Sequence, residues 1–315
     1  MHLARAGHEV GLWARDETLV TEMHTRRANP VYLPDVRLPA AVRPTADLQA
    51  VLADTRFVVV AVPSHGVREI ARHVAPILSP DTVVVSATKG LEQDSLDRMS
   101  QVLEQELGAG VKVAVLSGPS FASEVARELP TAMAVASHDG SVVDIVQEEF
   151  RASYLRLYGT ADVTGVEIGG ALKNVIAIAA GLVEGLGLGH NAQAGLITRG
   201  LAEMTRLACA AGAQRETLAG LAGLGDLVLT CTTGPSRNRR VGVELARGRP
   251  LQEILDGTRM VAEGVRTSNA ALALAVRFGT ELPITSQVAE LLAGRKSARM
   301  ALDQLMGRPQ RDEAE

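Results

Sequence analysis

Cysteine is scarce in this chain: Cys209 and Cys231 are the only two in 315 residues, and neither has the spacing of a metal-ligand pair. That argues against a disulfide framework and against any zinc or other metal site, and it fits a reducing, cytoplasmic setting. An excess of one charge is missing too. Charged residues make up 22% of the chain and the formal net charge is -4, so neither nucleic acid nor an anionic membrane is implied as a partner. The opening residues lack the basic-then-apolar order of a signal peptide, and the longest apolar run, Val175 to Val183, is too short to cross a bilayer. Lysine is the last scarcity. Lys89, Lys112, Lys173 and Lys296 stand against 28 arginines. In a chain that writes Arg almost everywhere, a retained Lys can mark a place that needs an amine able to lose its proton, which guanidinium cannot do. The contexts of Lys112 and Lys296 ask for nothing of the kind.

What is present points to two domains. A hydrophobic fraction of 46% over 315 residues exceeds what one core organises. Up to about Tyr158, short β-branched runs alternate with amphipathic stretches: Val10 to Trp13, Phe57 to Val62, Thr82 to Ala87, Lys112 to Leu116 and Ala132 to Ala136. Runs apolar on both faces, such as Phe57 to Val62, suit parallel strands covered by helices on either side. His65 to Leu78 and Leu91 to Leu107 read as crossover helices, which gives a doubly wound, Rossmann-like α/β domain. After Gly165 the β signal stops. Helices are expected over Gly170 to Gly185, Asn191 to Ala211, Arg239 to Arg247, Thr267 to Phe278 and Ile284 to Ala293, with Ser268 and Asn269 as start marks. The division is therefore an α/β domain over 1–165 and an all-α domain over 166–315.

The α/β domain lacks its usual opening, a strand followed by a G-x-G-x-x-G turn and a helix that seats a pyrophosphate. Met1 to Ala6 reads as the last turn of that helix, Gly7 as its stop, and Val10 as the start of the second strand. We expect roughly 20 further residues upstream, the length of one strand, its loop and most of a helix. By topology their place is mid-sheet, between the Val10 and Phe57 strands, so a gap is expected there. The Val10 strand runs out at Arg15 without the acidic residue that takes the ribose of NAD, and an Arg at that point suits the 2′-phosphate of NADP.

Four segments can line one site. Ala87-Thr88-Lys89-Gly90 follows a strand, where open parallel sheets meet their ligands. Ser117-Gly118-Pro119-Ser120 follows another strand and either approaches a ligand or forms a capped turn. Lys173 lies among Gly, Ala, Leu and Ile, so lost hydration should lower its pKa toward the range of proton exchange, and Lys89 should push the same way. The fourth segment runs from Gly223 through Asp226 to Ser236-Arg237-Asn238. There Pro235 and Ser236 open a helix whose free N–H groups, with Arg237, can seat a phosphate. Arg239 and Arg240 read as a solvated helix face.

Gly170 to Asn191, G-A-L-K-N-V-I-A-I-A-A-G-L-V-E-G-L-G-L-G-H-N, resembles the signature of bacterial NAD(P)-dependent glycerol-3-phosphate dehydrogenases. V-P-S-H, A-T-K-G-L, S-G-P-S-F-A, T-R-G-L-A-E-M, A-G-L-G-D-L-V-L-T-C-T, S-R-N-R-R, V-x-E-G and L-P-I-T extend the resemblance over almost the whole chain. It implies a helical domain of the 6-phosphogluconate dehydrogenase C-terminal type. It also implies interconversion of dihydroxyacetone phosphate and sn-glycerol 3-phosphate for glycerophospholipid synthesis, NADP or NAD as cofactor, a homodimer, and inhibition by glycerol 3-phosphate. Carried onto this chain, Lys173 is the proton donor or acceptor. Substrate binding falls to Lys89, Gly118, Ser120, Lys173, Asp226, Ser236, Arg237 and Asn238, and cofactor binding to Arg15, Lys89, Ala122, Arg237, Val261 and Glu263. A sister dehydrogenase acting on another hydroxy acid or sugar phosphate shares this plan. A metabolite-binding protein without turnover is the reading from another class.

Overall fold

The computed structural model describes residues 1–108, 110–258, 260–310 and 312–313. The first part alternates strands and helices: α1 (His2–Arg5), β1 (Val10–Trp13), α2 (Glu17–Arg26), β2 (Ala28–Asn29), β3 (Leu33–Arg37), β4 (Val42–Thr45), α3 (Leu48–Leu52) and β5 (Phe57–Val60). It continues with α4 (Val67–Val74), β6 (Val83–Ser86), α5 (Met99–Leu107), β7 (Lys112–Ser117), α6 (Ala122–Val125), β8 (Thr131–Ala136), α7 (Gly140–Glu149) and β9 (Leu155–Thr160). Helices then take over: α8 (Val163–Gly185), α9 (Gly189–Ala210), α10 (Arg215–Ala219), α11 (Asp226–Thr232), α12 (Arg237–Ala246), α13 (Leu251–Asp256), α14 (Glu263–Arg277), α15 (Pro283–Leu292) and α16 (Ala298–Met306).

The strands form a main sheet ordered β5-β6-β7-β8-β9 and a separate parallel pair, β1 with β4. Every residue of β6 is buried, as its Val-Val-Val-Ser run requires of a strand covered on both faces. The sheet is parallel from β5 to β7, but β8 runs antiparallel to β7, a departure from the all-parallel reading. The link, residues 118–130, carries only the four-residue α6 and turns the chain back beside β7 without crossing over the sheet. The expected gap between β1 and the Phe57 strand is a break between two sheets. Among the described residues no strand pairs with the second edge of β1 or with the outer edge of β5. The two pieces touch at His8 and Phe57, whose rings meet edge-on with centroids 6.4 Å apart.

Two expected helices are displaced. Leu91 to Arg98 is not helical, and α5 begins only at Met99. Tertiary bonds claim the early residues instead: Arg68 donates to both carboxylate oxygens of Glu92 and pairs with Asp97. Likewise α14 starts at Glu263, so Thr267 and Ser268 are buried inside it and not at its cap.

The centre of the helical part is α8, with 20 of its 23 residues buried. By length and mean hydropathy, 1.6, it is apolar enough to cross a membrane, beyond what the Val175 to Val183 run suggests, yet its apolar window is wholly buried within the fold. Its surface is taken up by α9, α12 and α14. The α8–α12 crossing is the closest. A Cβ at Gly181 would lie 1.9 Å from the Arg239 carbonyl oxygen, and one at Gly242 would lie 2.0 Å from that of Ile178. Both obstacles are helix backbone and cannot rotate away. Gly181→Ala is therefore expected to cost on the order of 3 kcal/mol by overpacking, read as a lower urea midpoint; an unchanged midpoint would mean that the crossing has slack. Because α12 begins at Ser236-Arg237-Asn238, this same crossing carries the fourth sequence segment to the Lys173 helix.

Candidate active site

Lys173 sits in the middle of α8, not at its head, and is 7% exposed. Its Nζ donates to Asp226 Oδ1 at 2.8 Å and to Thr230 Oγ1 at 2.8 Å. Lys89, arriving from the loop after β6, donates to the other carboxylate oxygen, Asp226 Oδ2, at 2.6 Å and to the Gly118 carbonyl at 2.9 Å. Asp226 thus bridges two ammonium groups, one on each oxygen, while itself being 1% exposed. Burial disfavours the charged amine, and the neighbouring Lys89 adds to the effect, so the Lys173 pKa falls to about 8 although Asp226 pulls the other way. Burial alone would raise the Asp226 carboxyl, but Lys89 and then Lys173 outweigh it and hold it below its ordinary value. Burial lifts the nearby Cys231 thiol to about 12, which keeps it neutral.

Local structure explains each position. α11 is entered through a π-helical turn, Leu221–Gly225, which sets Asp226 as its first residue facing α8. Thr230 follows four residues later on the same face and donates its hydroxyl to the Asp226 carbonyl at 2.6 Å. The sequence reading held Thr230 within its fourth segment but gave it no role; the Asp226-to-Thr230 helical spacing was the signal that could have supplied one. Ser236 caps α12, its hydroxyl accepting from the Arg239 amide, and Arg237 follows exposed, donating to the Val261 carbonyl at 3.3 Å. Asn238 is buried, and its amide is engaged twice: Nδ2 donates to Asn174 Oδ1 at 2.9 Å, and Oδ1 accepts from the Gly264 amide at 3.0 Å. Asn174, the residue after Lys173, is thereby tied to the start of α12.

Lys89, Gly118, Lys173 and Asp226 are therefore brought into one cluster. Ser120 joins through its hydroxyl, which donates to the Gly118 carbonyl at 3.0 Å. Ala122 is exposed at the start of α6, and Glu263 opens α14 with its carboxylate held by Ser64. Arg15 is exposed just past β1, with no ion-pair partner among the described residues. Some of the matched segments serve packing. Glu203, from T-R-G-L-A-E-M, accepts from the amides of Ile284 and Thr285 in L-P-I-T and so caps α15 from inside the core. Among the described residues no group of His, Cys, Asp or Glu could hold a metal ion.

A dinucleotide fits the residues present. Lys89 lies in the loop after β6, and the Ser117 hydroxyl at the end of β7 is buried with no partner among the described residues, a polar atom left for a bound group.

The chain is similar to known proteins along almost its whole length. Residues 1–143 match the family described as NAD-dependent glycerol-3-phosphate dehydrogenase N-terminus, and residues 162–303 match its C-terminus. The glycerol-3-phosphate dehydrogenase [NAD(P)+] of Acidobacterium capsulatum is 52% identical, covering 99% of this chain and 95% of the relative. That of Koribacter versatilis is 51% identical over 97% of this chain and 91% of its own length. The crystal structure of glycerol-3-phosphate dehydrogenase from Coxiella burnetii superposes with a TM-score of 0.93 at 39% identity, over 98% of this chain and 94% of that one. With both halves matched and half of all residues shared, this chain belongs to the NAD-dependent glycerol-3-phosphate dehydrogenase family.

Proposed function

We propose that the protein interconverts dihydroxyacetone phosphate and sn-glycerol 3-phosphate in the cytoplasm, supplying the latter to glycerophospholipid synthesis, and that Lys173 moves the proton. The observation that carries this reading is the buried Lys173 amine, with its pKa at about 8, bonded to Asp226 and Thr230. Bound NADP or NAD would supply the hydride chemistry at C2 in either direction. In reduction the Lys173 ammonium gives a proton to the C2 oxygen, and in oxidation the neutral amine takes it back. Asp226 and Thr230 hold that amine, and Lys89, Gly118, Ser120 and Asp226 orient the substrate. The phosphate is received at the α12 N-terminus, by Ser236, Arg237 and Asn238, where unpaired N–H groups and a guanidinium favour an anion. Arg15, Lys89, Ala122, Arg237, Val261 and Glu263 hold the cofactor, with Arg15 placed for a 2′-phosphate. The division into lobes at 165/166 falls in the first turn of α8, so the helix that carries Lys173 grows directly out of the strand lobe. Two unpaired cysteines suit the cytoplasm, and a homodimer accompanies this reading.

The test is oxidation of NADPH or NADH with dihydroxyacetone phosphate, set against keto substrates without a phosphate. Selective turnover of the phosphate ester is expected; equal turnover of the unphosphorylated ketones would shift the assignment to a sister dehydrogenase. The pH dependence has a definite sign. Reduction needs charged Lys173, so its rate should fall about tenfold per pH unit above pH 8, whereas oxidation needs the neutral amine and should rise to a plateau there. Both limbs are read from kcat/KM profiles, and parallel profiles in the two directions would remove Lys173 from the proton transfer.

A further inference from the structure

The start of α14 is tied to both lobes by hydrogen bonds that the chemistry above leaves unused. Ser64 lies in the loop that follows β5. Its amide donates to Glu263 Oε1 at 2.9 Å, and its hydroxyl donates to Glu263 Oε2 at 2.6 Å. Ser64 is 3% exposed, so water hardly competes for this grip. On the helical side the Gly264 amide donates to Asn238, and Asn238 in turn donates to Asn174, the residue after Lys173. Gly90, the residue after Lys89, rests on the same junction: a Cβ there would come within 2.7 Å of Ser64 Cβ and 3.2 Å of Glu263 Oε2. The immediate neighbours of both lysines that flank Asp226 therefore converge on one serine–glutamate pair.

We propose that Ser64 is a positioning residue of the dehydrogenase, acting through Glu263 to lock the strand-end loops that carry Lys89 onto the helix start that braces the Lys173 segment. The proposal rests on the dehydrogenase reading above. Its physical basis is the pairing of two donors with an ionised acceptor, bonds roughly twice as strong as neutral ones. Packing alone would require neither the hydroxyl nor the carboxylate. Because the contact crosses from the β5 loop to α14, its loss should loosen the junction while leaving the core of each lobe intact.

The test compares the wild type with Ser64→Ala, Glu263→Gln, Glu263→Ala and the Ser64→Ala/Glu263→Ala double variant. Deuterium uptake over residues 261–268 is measured without substrate or cofactor, and kcat and KM with both. Ser64→Ala should speed uptake in that segment about tenfold and lower kcat/KM about tenfold, the scale of a lost bond to a charged acceptor. Glu263→Gln should speed uptake by clearly less than Ser64→Ala does, since its amide can still accept from the Ser64 amide and donate to the hydroxyl, but through weaker neutral bonds. In the Glu263→Ala background, adding Ser64→Ala should change kcat/KM by less than about twofold, the signature of two residues acting as one unit. Unchanged uptake in Ser64→Ala, or a full tenfold loss that persists without Glu263, overturns the proposal alone. A wild type that turns over no dihydroxyacetone phosphate overturns the dehydrogenase reading, and the proposal with it.

Discussion

Lys173→Met is expected to reduce turnover of dihydroxyacetone phosphate about a thousandfold, the usual worth of a general acid. Methionine keeps most of the buried stem and removes only the amine. Asp226 retains Lys89 as a partner at 2.6 Å, so no carboxylate is stranded in the interior. On the proposed reading the amine acts in the transition state and the phosphate is held elsewhere, so kcat should carry the loss and KM should change little. A pair of observations checks this: steady-state kinetics with the phosphate ester, and a urea midpoint close to that of the wild type. A variant that kept more than a tenth of the turnover would show that another group moves the proton.

Asp226→Asn should damage both stability and chemistry. The carboxylate is the counter-charge for two ammonium groups, at 2.8 Å from Lys173 and 2.6 Å from Lys89, in a site where Asp226 is 1% exposed. Without it the two amines face each other with only neutral partners. Breaking a buried pair from one side typically costs about 3–5 kcal/mol, a large fraction of the roughly 5–15 kcal/mol that holds a domain folded. The protein can recover part of this by letting Lys173 shed its proton. Asp226 raises the Lys173 pKa, so its removal must move that pKa below about 8. The reductive limb of the pH profile should therefore shift to lower pH in the same variant. Denaturant melts and pH profiles together decide the matter: an unshifted profile with a wild-type midpoint would mean that the carboxylate is not the counter-ion described here.

The sequence carried much of this because the decisive elements depend on local chemistry. The Val10 to Trp13 strand, the Ser236 cap and the long apolar α8 follow from alternation, a hydroxyl before a helix, and an unbroken run of small and aliphatic residues. Lys89 and Lys173 stood out by type and context, Asp226 only through the family resemblance, and the fold gathers the two amines at that carboxylate. What stayed hidden depends on partners distant in the chain. β9 alternates buried Leu155 and Leu157 with exposed Arg156 and Tyr158, too short a pattern to separate from a loop without β8 beside it. The start of α14 could not be placed because its first residue is held by Ser64 of the other lobe, while the serine that looks like a cap lies inside the helix. The non-helical stretch from Leu91 to Arg98 is decided by ion pairs with Arg68. The Asn174–Asn238 bond joins two helices, and neither asparagine announces the other.

The scarcity of lysine offers a direct test of the central claim. With Lys89, Lys112, Lys173 and Lys296 as the only lysines, carbon-13 labelling at the lysine Cε gives a spectrum simple enough to titrate signal by signal. The account predicts that one of the four titrates with a midpoint near 8, and that this signal is the one missing from Lys173→Met. Four midpoints all at ordinary lysine values, about 10.4, would contradict it.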